Sequence, residues 1–296
     1  MQDPRTRTLK SDILLLLAAI IWGFAFVAQR AGMEHIGPFL FNGIRFALGS
    51  VVLIPLIMIR NTGEKITSGS LLLPGLIAGV AIFMGVSFQQ VGIVYTTAGK
   101  AGFITGLYVI IVPILGLFLG KKSGTGVWAG AMLAVVGLYL LSVKTGLKME
   151  RGDLLVLIGA LFWAVHVHLI GHFAPRMDTI KLAFLQFLTV SFLSTLTALA
   201  FERINIHQIL AAWIPIIYAG VFSAGIAYTL QVVAQRDAHP SHAAIILSME
   251  TVFAVLGGWV ILGERLSVRE FMGCGLMFAG MIISQLYLVS RGKGGI

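Results

Sequence analysis

The sequence predicts an all-α integral membrane protein with ten transmembrane helices, arranged as an inverted repeat of five plus five. Of its 296 residues, 58% are hydrophobic and only 11% are charged, whereas about 25% of residues are charged in soluble domains. Apolar runs of roughly 20 residues, the length a helix needs to cross a bilayer, recur with short gaps between them. The two halves of the chain also match each other at a fixed offset. A water-soluble fold is excluded, because it could not cover this much apolar side chain.

Ten apolar runs are separated by polar residues, proline or glycine, and the gaps leave no room for an extramembrane domain. Their predicted spans are Ile13–Gln29, Phe39–Ile59, Leu71–Val91, Ala98–Leu119, Val127–Val143, Leu154–Gly171, Leu182–Phe201, Trp213–Ala234, Ala243–Leu262 and Phe271–Val289. The first run resembles a secretory signal. We expect it to be kept as the first helix, because it has a counterpart later in the chain.

An internal repeat is indicated by matches at one register. Trp22 and Trp163 are separated by 163 − 22 = 141 residues. The same offset pairs Asp12 with Asp153, Phe46 with Phe187, Pro74 with Pro215, Gly79 with Gly220, and Gln90 with Gln231. Further along, an offset of 143 pairs Gly120, Gly130 and Gly137 with Gly263, Gly273 and Gly280. The chain is therefore predicted to contain two five-helix units, residues 1–146 and 147–296.

The odd number of helices in each unit predicts that the second unit enters the membrane upside down relative to the first. Inverted repeats of this kind place a substrate site near the bilayer midplane, where the repeats meet, and alternate its access between the two sides. This arrangement favours a transporter over a receptor or an enzyme.

The net charge of +9 is attributed to topology and contact with lipid headgroups, because Lys and Arg fall mostly between the apolar runs. No nucleic-acid partner is expected. With both termini cytoplasmic, 12 basic residues lie on the inner side and 8 on the outer side. The sequence thus predicts a multi-pass protein of the inner membrane, with Lys121 and Lys181 cytoplasmic and Lys148 periplasmic.

Glu250 is the leading candidate for a functional residue, because it lies near the middle of the ninth run. An ionisable group at that depth is costly unless it faces protein or water. It could be a neutral acid that holds helices together by hydrogen bonds. Alternatively, it could line a cavity and bind a substrate amine or exchange a proton.

Further cavity candidates lie at corresponding depths in both units. Arg45 could pair with Glu250, bind a substrate carboxylate or extend to the interface, and the second unit has Gln186 at its position. Trp22 and Trp163 lie about 15 Å along the helix from Asp12 and Asp153, which places them in the bilayer interior. The remaining candidates are Tyr108, Gln90, Gln231 and His166.

Metal and cofactor sites are not expected. His168 and His172 have the i, i+4 spacing of metal ligands. No cysteine and no carboxylate-rich helix is placed in the sequence so as to complete a metal coordination shell. His166 is interpreted instead as a pH-sensitive wall of the cavity. No Walker loop and no dinucleotide fingerprint occur in the sequence, so ATP-driven transport by this chain alone is not expected.

Trp22-Gly23 and Arg45-Phe46 occur in the first two runs, and the longer segments Tyr95–Pro113 and Ser241–Ser267 cover much of the fourth run and all of the ninth. Together with the Gly273/Gly280 spacing, these segments resemble the EamA-type branch of the drug/metabolite transporter superfamily. The resemblance covers essentially the whole chain and implies ten helices in an inverted repeat and export of small metabolites, commonly amino acids. One position departs from the family pattern, because Thr251 stands where proline commonly follows the glutamate. This departure questions the family's kink there, although a threonine can bend a helix mildly by bonding to the i−4 carbonyl.

The leading functional hypothesis is a secondary carrier that exports a small metabolite. An integral-membrane enzyme acting on lipid remains an alternative, to be favoured if histidines and carboxylates converge at an interfacial cleft. A channel or sensor is the third class. The expected partners are the small-molecule substrate and membrane lipids, and a monomer is expected. The Gly126-x-x-x-Gly130 spacing is therefore interpreted as docking the fifth helix on the tenth within one chain.

Overall fold

The computed structural model describes residues 4–59, 71–96, 98–121, 123–142, 151–254, 256 and 267–291, and these parts of the chain form helices joined by short loops. The α-helices are α1 Pro4–Gly32, α2 Pro38–Ile59, α3 Leu72–Tyr95, α4 Ala98–Gly106, α5 Tyr108–Phe118, α6 Thr125–Ser142, α7 Arg151–Phe173, α8 Thr179–Phe201, α9 Ile206–Ala211, α10 Trp213–Ile217, α11 Tyr228–Ala234, α12 Pro240–Leu247 and α13 Val268–Arg291. A π-helical segment, Tyr218–Ala227, joins α10 to α11.

Seven helical spans among the described residues are long and apolar enough to cross a membrane. They are Arg7–Gly32, Pro38–Ile59, Leu72–Tyr95, Ala101–Phe118, Arg151–Arg176, Thr179–Phe201 and Trp213–Ala234. Two shorter apolar helices, Thr125–Leu140 and Phe271–Ser284, coincide with the fifth and tenth predicted runs. The ninth predicted run lies partly outside the described residues. The chain is thus an all-helical, multi-pass membrane protein, and the count of ten remains a prediction.

The helices pack in pairs drawn from the two halves of the chain. α2 packs on α8, α3 on α7, and α1 on the π segment and α11. Close approaches occur at glycines and are repeated 141 residues along the chain. A Cβ atom on Gly79 would lie 2.9 Å from the Gln186 carbonyl oxygen, and one on Gly220 would lie 3.1 Å from the Arg45 carbonyl oxygen. Small residues allow this approach, because lipid provides no hydrophobic force between helices.

Close approaches at glycines are also repeated between α6 and α13, here at an offset of 143. A Cβ atom on Gly130 would lie 2.6 Å from the Gly280 carbonyl oxygen, and one on Gly137 would lie 2.6 Å from the Gly273 carbonyl oxygen. Gly273 and Gly280 are the sequence counterparts of Gly130 and Gly137. The fifth predicted helix therefore docks on the tenth within one chain.

Two membrane helices are broken at corresponding places. The fourth predicted span is interrupted at Leu107, between α4 and α5, and the ninth at residues 248–249, before a new helical turn begins at Glu250. Each break is tightened by an i→i+3 bond, from Leu107 N–H to the Ile104 carbonyl and from Met249 N–H to the Ile246 carbonyl. The side chain of Thr251 does not bond back to its own helix; its hydroxyl donates to the Gly102 carbonyl at 3.2 Å.

The π segment changes the register between the halves by one residue. Before it, Gly79 corresponds to Gly220 at an offset of 141. After it, residues 227–237 repeat the order of buried, half-buried and exposed side chains seen in residues 85–95, which is an offset of 142. The starts of α4 and α12, at Ala98 and Pro240, also differ by 142. A π turn holds one extra residue, so Gln231 corresponds to Gln89 and not to Gln90.

Candidate functional site

A cavity lies where the two halves meet. It contains about 490 Å³ of empty space, including its open mouth. Its walls come from most of the membrane helices and from both broken segments. The lining residues are Trp22, Phe26, Gln29, Arg45, Gln89, Thr105, Tyr108, Trp163, Val167, Ser223, Tyr228, Gln231, Leu247 and Glu250.

The lining is itself repeated between the halves once the register shift is taken into account. Ten of the residues form five corresponding pairs, which are Trp22 with Trp163, Phe26 with Val167, Gln89 with Gln231, Thr105 with Leu247, and Tyr108 with Glu250. The first two pairs are separated by 141 residues and the other three by 142. The helix breaks place Tyr108 and Glu250 in the lining, because α5 begins at Tyr108 and the new turn begins at Glu250.

Three aromatic rings form one wall of the cavity. The centroid of the Tyr228 ring lies 4.6 Å from that of Trp22 and 5.9 Å from that of Trp163. Both indole N–H groups are occupied: Trp22 donates to the Ser223 carbonyl at 3.3 Å, and Trp163 donates to Gln89 Oε1 at 2.9 Å. The bonds fix the ring orientations and leave apolar faces for a ligand.

One basic and one acidic side chain line the cavity without forming an ion pair with each other. Arg45 is 2% exposed; its Nε donates to Asn42 Oδ1 at 2.9 Å, and its guanidinium lies 5.0 Å from the centroid of the Phe46 ring. Glu250 is 5% exposed, and within the described part of the chain its carboxylate accepts no hydrogen bond. No ion pair within 4.0 Å joins the two. Of the three alternatives for Arg45, pairing with Glu250 is therefore not present in this structure.

Six of the eight predicted cavity residues line this cavity, and Gln90 and His166 do not. Gln90 is fully buried, and its amide donates to the Gln29 carbonyl at 3.3 Å. One residue along a helix rotates a side chain by about 100°, so it is Gln89 that faces the cavity. His166 lies behind Trp163, and its Nε2 is 3.1 Å from Gln186 Oε1.

Tyr228 is the most important residue that sequence reasoning did not single out. It lies three residues before Gln231 on α11, so the two share a helix face. That spacing could have identified it. Gln29 could have been identified in the same way, because it lies two turns after Trp22 on α1. Ser223 had no comparable signal, because the π segment that places it is not visible in the sequence pattern.

No group of three or more metal-ligating side chains occurs among the described residues. His168 and His172, which have the spacing of metal ligands, do not converge, because His168 Nε2 lies 2.7 Å from the Val112 carbonyl oxygen and His172 is exposed.

A buried polar cluster, the His242 cluster, ties three helices together beside the chain's N-terminal segment. His242 on α12 has Nδ1 2.9 Å from Ser284 Oγ on α13 and Nε2 2.9 Å from Asp12 Oδ1 on α1. The hydroxyl of Ser241 lies 2.9 Å from that of Ser123, just before α6. A serine, a histidine and an aspartate thus meet as in a hydrolase. Ser284 is fully buried and does not line the cavity, so the cluster is interpreted as a helix clamp.

His239 caps the N-terminus of α12 beside this cluster, with Nδ1 accepting from Ser241 N–H at 3.3 Å. Burial, followed by the nearby Lys121, His168 and His242, lowers the pKa of His239 from its ordinary 6.5. The unfolded chain therefore binds this proton first as pH falls. The stability due to neutral His239 is complete above about pH 6.5 and is lost as pH falls toward the lower folded pKa.

We accordingly expect the melting temperature of the detergent-purified protein to fall between pH 7.5 and pH 5.5. The fall should be smaller in His239→Asn, whose amide oxygen can cap the helix at both pH values. Thermal denaturation at a series of pH values measures this difference. Equal slopes in the two proteins would contradict the assignment.

Family comparison agrees with the membrane fold. The model of the EamA-like transporter family matches residues 9–143 and again residues 150–286. The chain belongs to this family. The family and the names of its relatives indicate a transporter rather than an enzyme.

Relatives of this EamA-like chain carry transporter names. An "Uncharacterized transporter" of Archaeoglobus fulgidus is 33% identical over 95% of this chain and 87% of its own. The "Uncharacterized inner membrane transporter YedA" of Escherichia coli strain K12 is 24% identical over 93% of this chain and 88% of its own. A crystal structure with 19% identity superposes with a TM-score of 0.79 over 94% of this chain and 96% of its own, which supports the fold alone.

Proposed function

We propose that this chain is a secondary carrier that exports a small zwitterionic metabolite, an amino acid or a related compound, across the inner membrane by alternating access. The observation that carries the proposal is the presence of Arg45 and Glu250 in one cavity without an ion pair between them. Each charge is costly at that depth unless it gains a partner. A substrate carboxylate fits the planar guanidinium, and a substrate ammonium fits the carboxylate.

The aromatic wall and the amides complete the proposed site. Trp22, Trp163 and Tyr228 offer ring faces to an apolar substrate side chain, and Gln89 and Gln231 offer hydrogen bonds. When the ammonium leaves, a proton on Glu250 would remove its uncompensated charge, so the proposal includes proton exchange at this carboxylate. The sequence has no nucleotide-binding motif, which favours secondary over ATP-driven transport.

The proposal includes ten membrane helices in two inverted units, residues 1–146 and 147–296. The family model matches the chain twice, once in each unit. The Gly79 and Gly220 contacts and the Gly130 and Gly137 contacts are exchanged between the halves, as a two-fold axis requires. An axis that relates two units of five helices must lie in the membrane plane, because each unit crosses an odd number of times.

The proposed orientation has both termini in the cytoplasm, supported by the excess of basic residues on that side. The His242 cluster would then close the cytoplasmic end, and the cavity would open outward. Lys148, predicted to be periplasmic, lies outside the described residues, so Arg203 is the better outer probe. We expect Lys181→Cys to react with an impermeant maleimide only in everted vesicles and Arg203→Cys only in intact cells, both in a Cys274→Ala background. The reverse pattern would invert the topology.

The substrate class is tested by thermal-shift measurements on the detergent-purified protein with amino acids and charge-deleted analogues. A ligand at 100 times its dissociation constant stabilises a protein by about 2.7 kcal/mol. We expect a zwitterion to raise the melting temperature more than its decarboxylated amine or its N-acetyl derivative. The best ligand is then tested for counterflow and efflux in proteoliposomes. Equal stabilisation by the analogues would contradict the two-charge site.

A further inference from the structure

Gln186, the counterpart of Arg45 in the second unit, has no explained role in the conformation that the structure shows. Gln186, on α8, is fully buried, and its Oε1 faces His166 Nε2 at 3.1 Å. Among the residues that the structure describes, its Nε2 has no hydrogen-bond partner, and neither has Nδ1 of His166. Buried polar atoms in folded proteins are nearly always hydrogen-bonded, so these two atoms require an explanation.

Gln186 corresponds to Arg45 in the other half of the chain, at the offset of 141. The residues that follow them, Phe46 and Phe187, are also counterparts, and their ring centroids lie 5.9 Å apart. A contact between a residue and its own counterpart places the two-fold axis between them. Gln186 and Arg45 therefore lie on either side of that axis, next to the cavity.

The cavity lining shows which residues change place between states. Four lining residues, Gln29, Arg45, Ser223 and Tyr228, lack a counterpart in the lining. Their counterparts are Ile170, Gln186, Ile82 and Val86, and all four are buried. Gln186 is the only polar side chain among these four counterparts. It is also the one with an unused donor.

In a carrier built from two inverted units, the opposite-facing state arises when the units exchange conformations. Residues that line the cavity in one state are then replaced by their counterparts in the other. We propose that Gln186, oriented by His166, faces the substrate in the opposite-facing state and occupies the place that Arg45 has in this one. The proposal rests on the proposed carrier function.

The replacement changes how the substrate carboxylate is held. Arg45 offers a charged, two-pronged donor, whereas Gln186 offers one neutral amide. Charge-assisted hydrogen bonds are roughly twice as strong as neutral ones. The state with Arg45 therefore holds a carboxylate more tightly, and the state with Gln186 binds it more weakly.

Cysteine accessibility tests this assignment without a known substrate. In a Cys274→Ala background, the pair Ser123→Cys and Ser241→Cys can be oxidised to lock the end of the molecule that holds the His242 cluster, because the two hydroxyls lie 2.9 Å apart. A third cysteine replaces Gln186, and the detergent-purified protein is treated with a charged methanethiosulfonate reagent. Minor states are populated at about 0.1–10%. We therefore expect slow labelling before oxidation and a further loss of about tenfold or more after it.

Thr105→Cys and Ser194→Cys are the matched controls. Thr105 lines the present cavity and should be labelled in the locked protein. Ser194 also lies buried on α8, and its hydroxyl, like the amide nitrogen of Gln186, has no hydrogen-bond partner among the described residues. Its counterpart, Leu53, does not line the cavity. Ser194→Cys should therefore stay unlabelled. Ile170→Cys, the counterpart of Gln29, is a second probe if Gln186→Cys does not fold.

The outcomes separate the two proposals. The inference would be overturned if neither Gln186→Cys nor Ile170→Cys is labelled. It would also be overturned if the disulfide lock does not slow their labelling, or if Ser194→Cys is labelled equally. Labelling of Thr105→Cys in those cases would leave the cavity and the carrier standing. If Thr105→Cys is also unreactive, the proposed cavity fails together with the inference.

Discussion

Glu250→Gln is expected to reduce transport by about tenfold or more while leaving expression and melting temperature close to those of the wild type. Hydrogen bonds to charged groups contribute about 1.5–3 kcal/mol, and the amide removes that charge from the cavity wall. The described structure gives the carboxylate no hydrogen-bond partner to lose, so folding should not suffer. Counterflow in proteoliposomes with the substrate found by thermal shift measures the effect across a pH series.

Glu250→Asp is the matched variant, because it keeps the carboxylate on a shorter stem. We expect it to retain part of the activity. Full activity of Glu250→Gln at every pH would return the residue to a structural role. Tyr108→Phe provides a control at the corresponding position, since it removes a polar atom from the cavity without changing its charge.

Gly130→Ala is expected to have the largest effect on stability. The new Cβ atom would lie 2.6 Å from the Gly280 carbonyl oxygen on α13, and α6 cannot move away without separating from its partner helix. Overpacking of this kind costs typically about 1–3 kcal/mol. Thermal denaturation of the purified protein should show a clear loss in melting temperature.

Gly275→Ala is the control for that substitution. Gly275 is also on α13, but a Cβ atom there meets no atom of the described residues within 4 Å. Alanine is the better helix former by about 1 kcal/mol, so this variant should melt at or above the wild-type temperature. If Gly130→Ala melts like Gly275→Ala, the close packing of α6 on α13 does not limit stability.

Much of the fold could be predicted because lipid imposes a simple pattern on the sequence. Runs such as Phe39–Ile59 and Leu182–Phe201 nearly coincide with α2 and α8, since a spanning helix needs about 20 apolar residues whatever packs around it. The repeat offset then predicted that Trp22 and Trp163 occupy corresponding positions, and both line the cavity. Depth along a helix follows from residue count alone, so the candidates at mid-depth were largely those that line the cavity.

The direction of individual side chains could not be predicted in the same way. Gln90 and Gln89 are adjacent and chemically identical, and only the helix rotation decides which one faces the cavity. No proline in the sequence marks the break at residues 248–249. The Thr251 hydroxyl bonds to α4 and not to the preceding turn of its own helix. The contact between Asp12 and His242 joins residues 230 positions apart, and no local pattern encodes such a pairing.

The π segment Tyr218–Ala227 also bears on the history of the chain. If the two units descend from one ancestral gene, their copies came to differ by one residue in this helix after they separated, because the matching part of α3 is an ordinary helix. The π turns take up that difference within the helix. Gln231 and Glu250 lie beyond it and still match Gln89 and Tyr108 at the cavity. The two copies thus keep corresponding cavity positions across a change in length, although they differ in chemistry at Arg45 and Gln186.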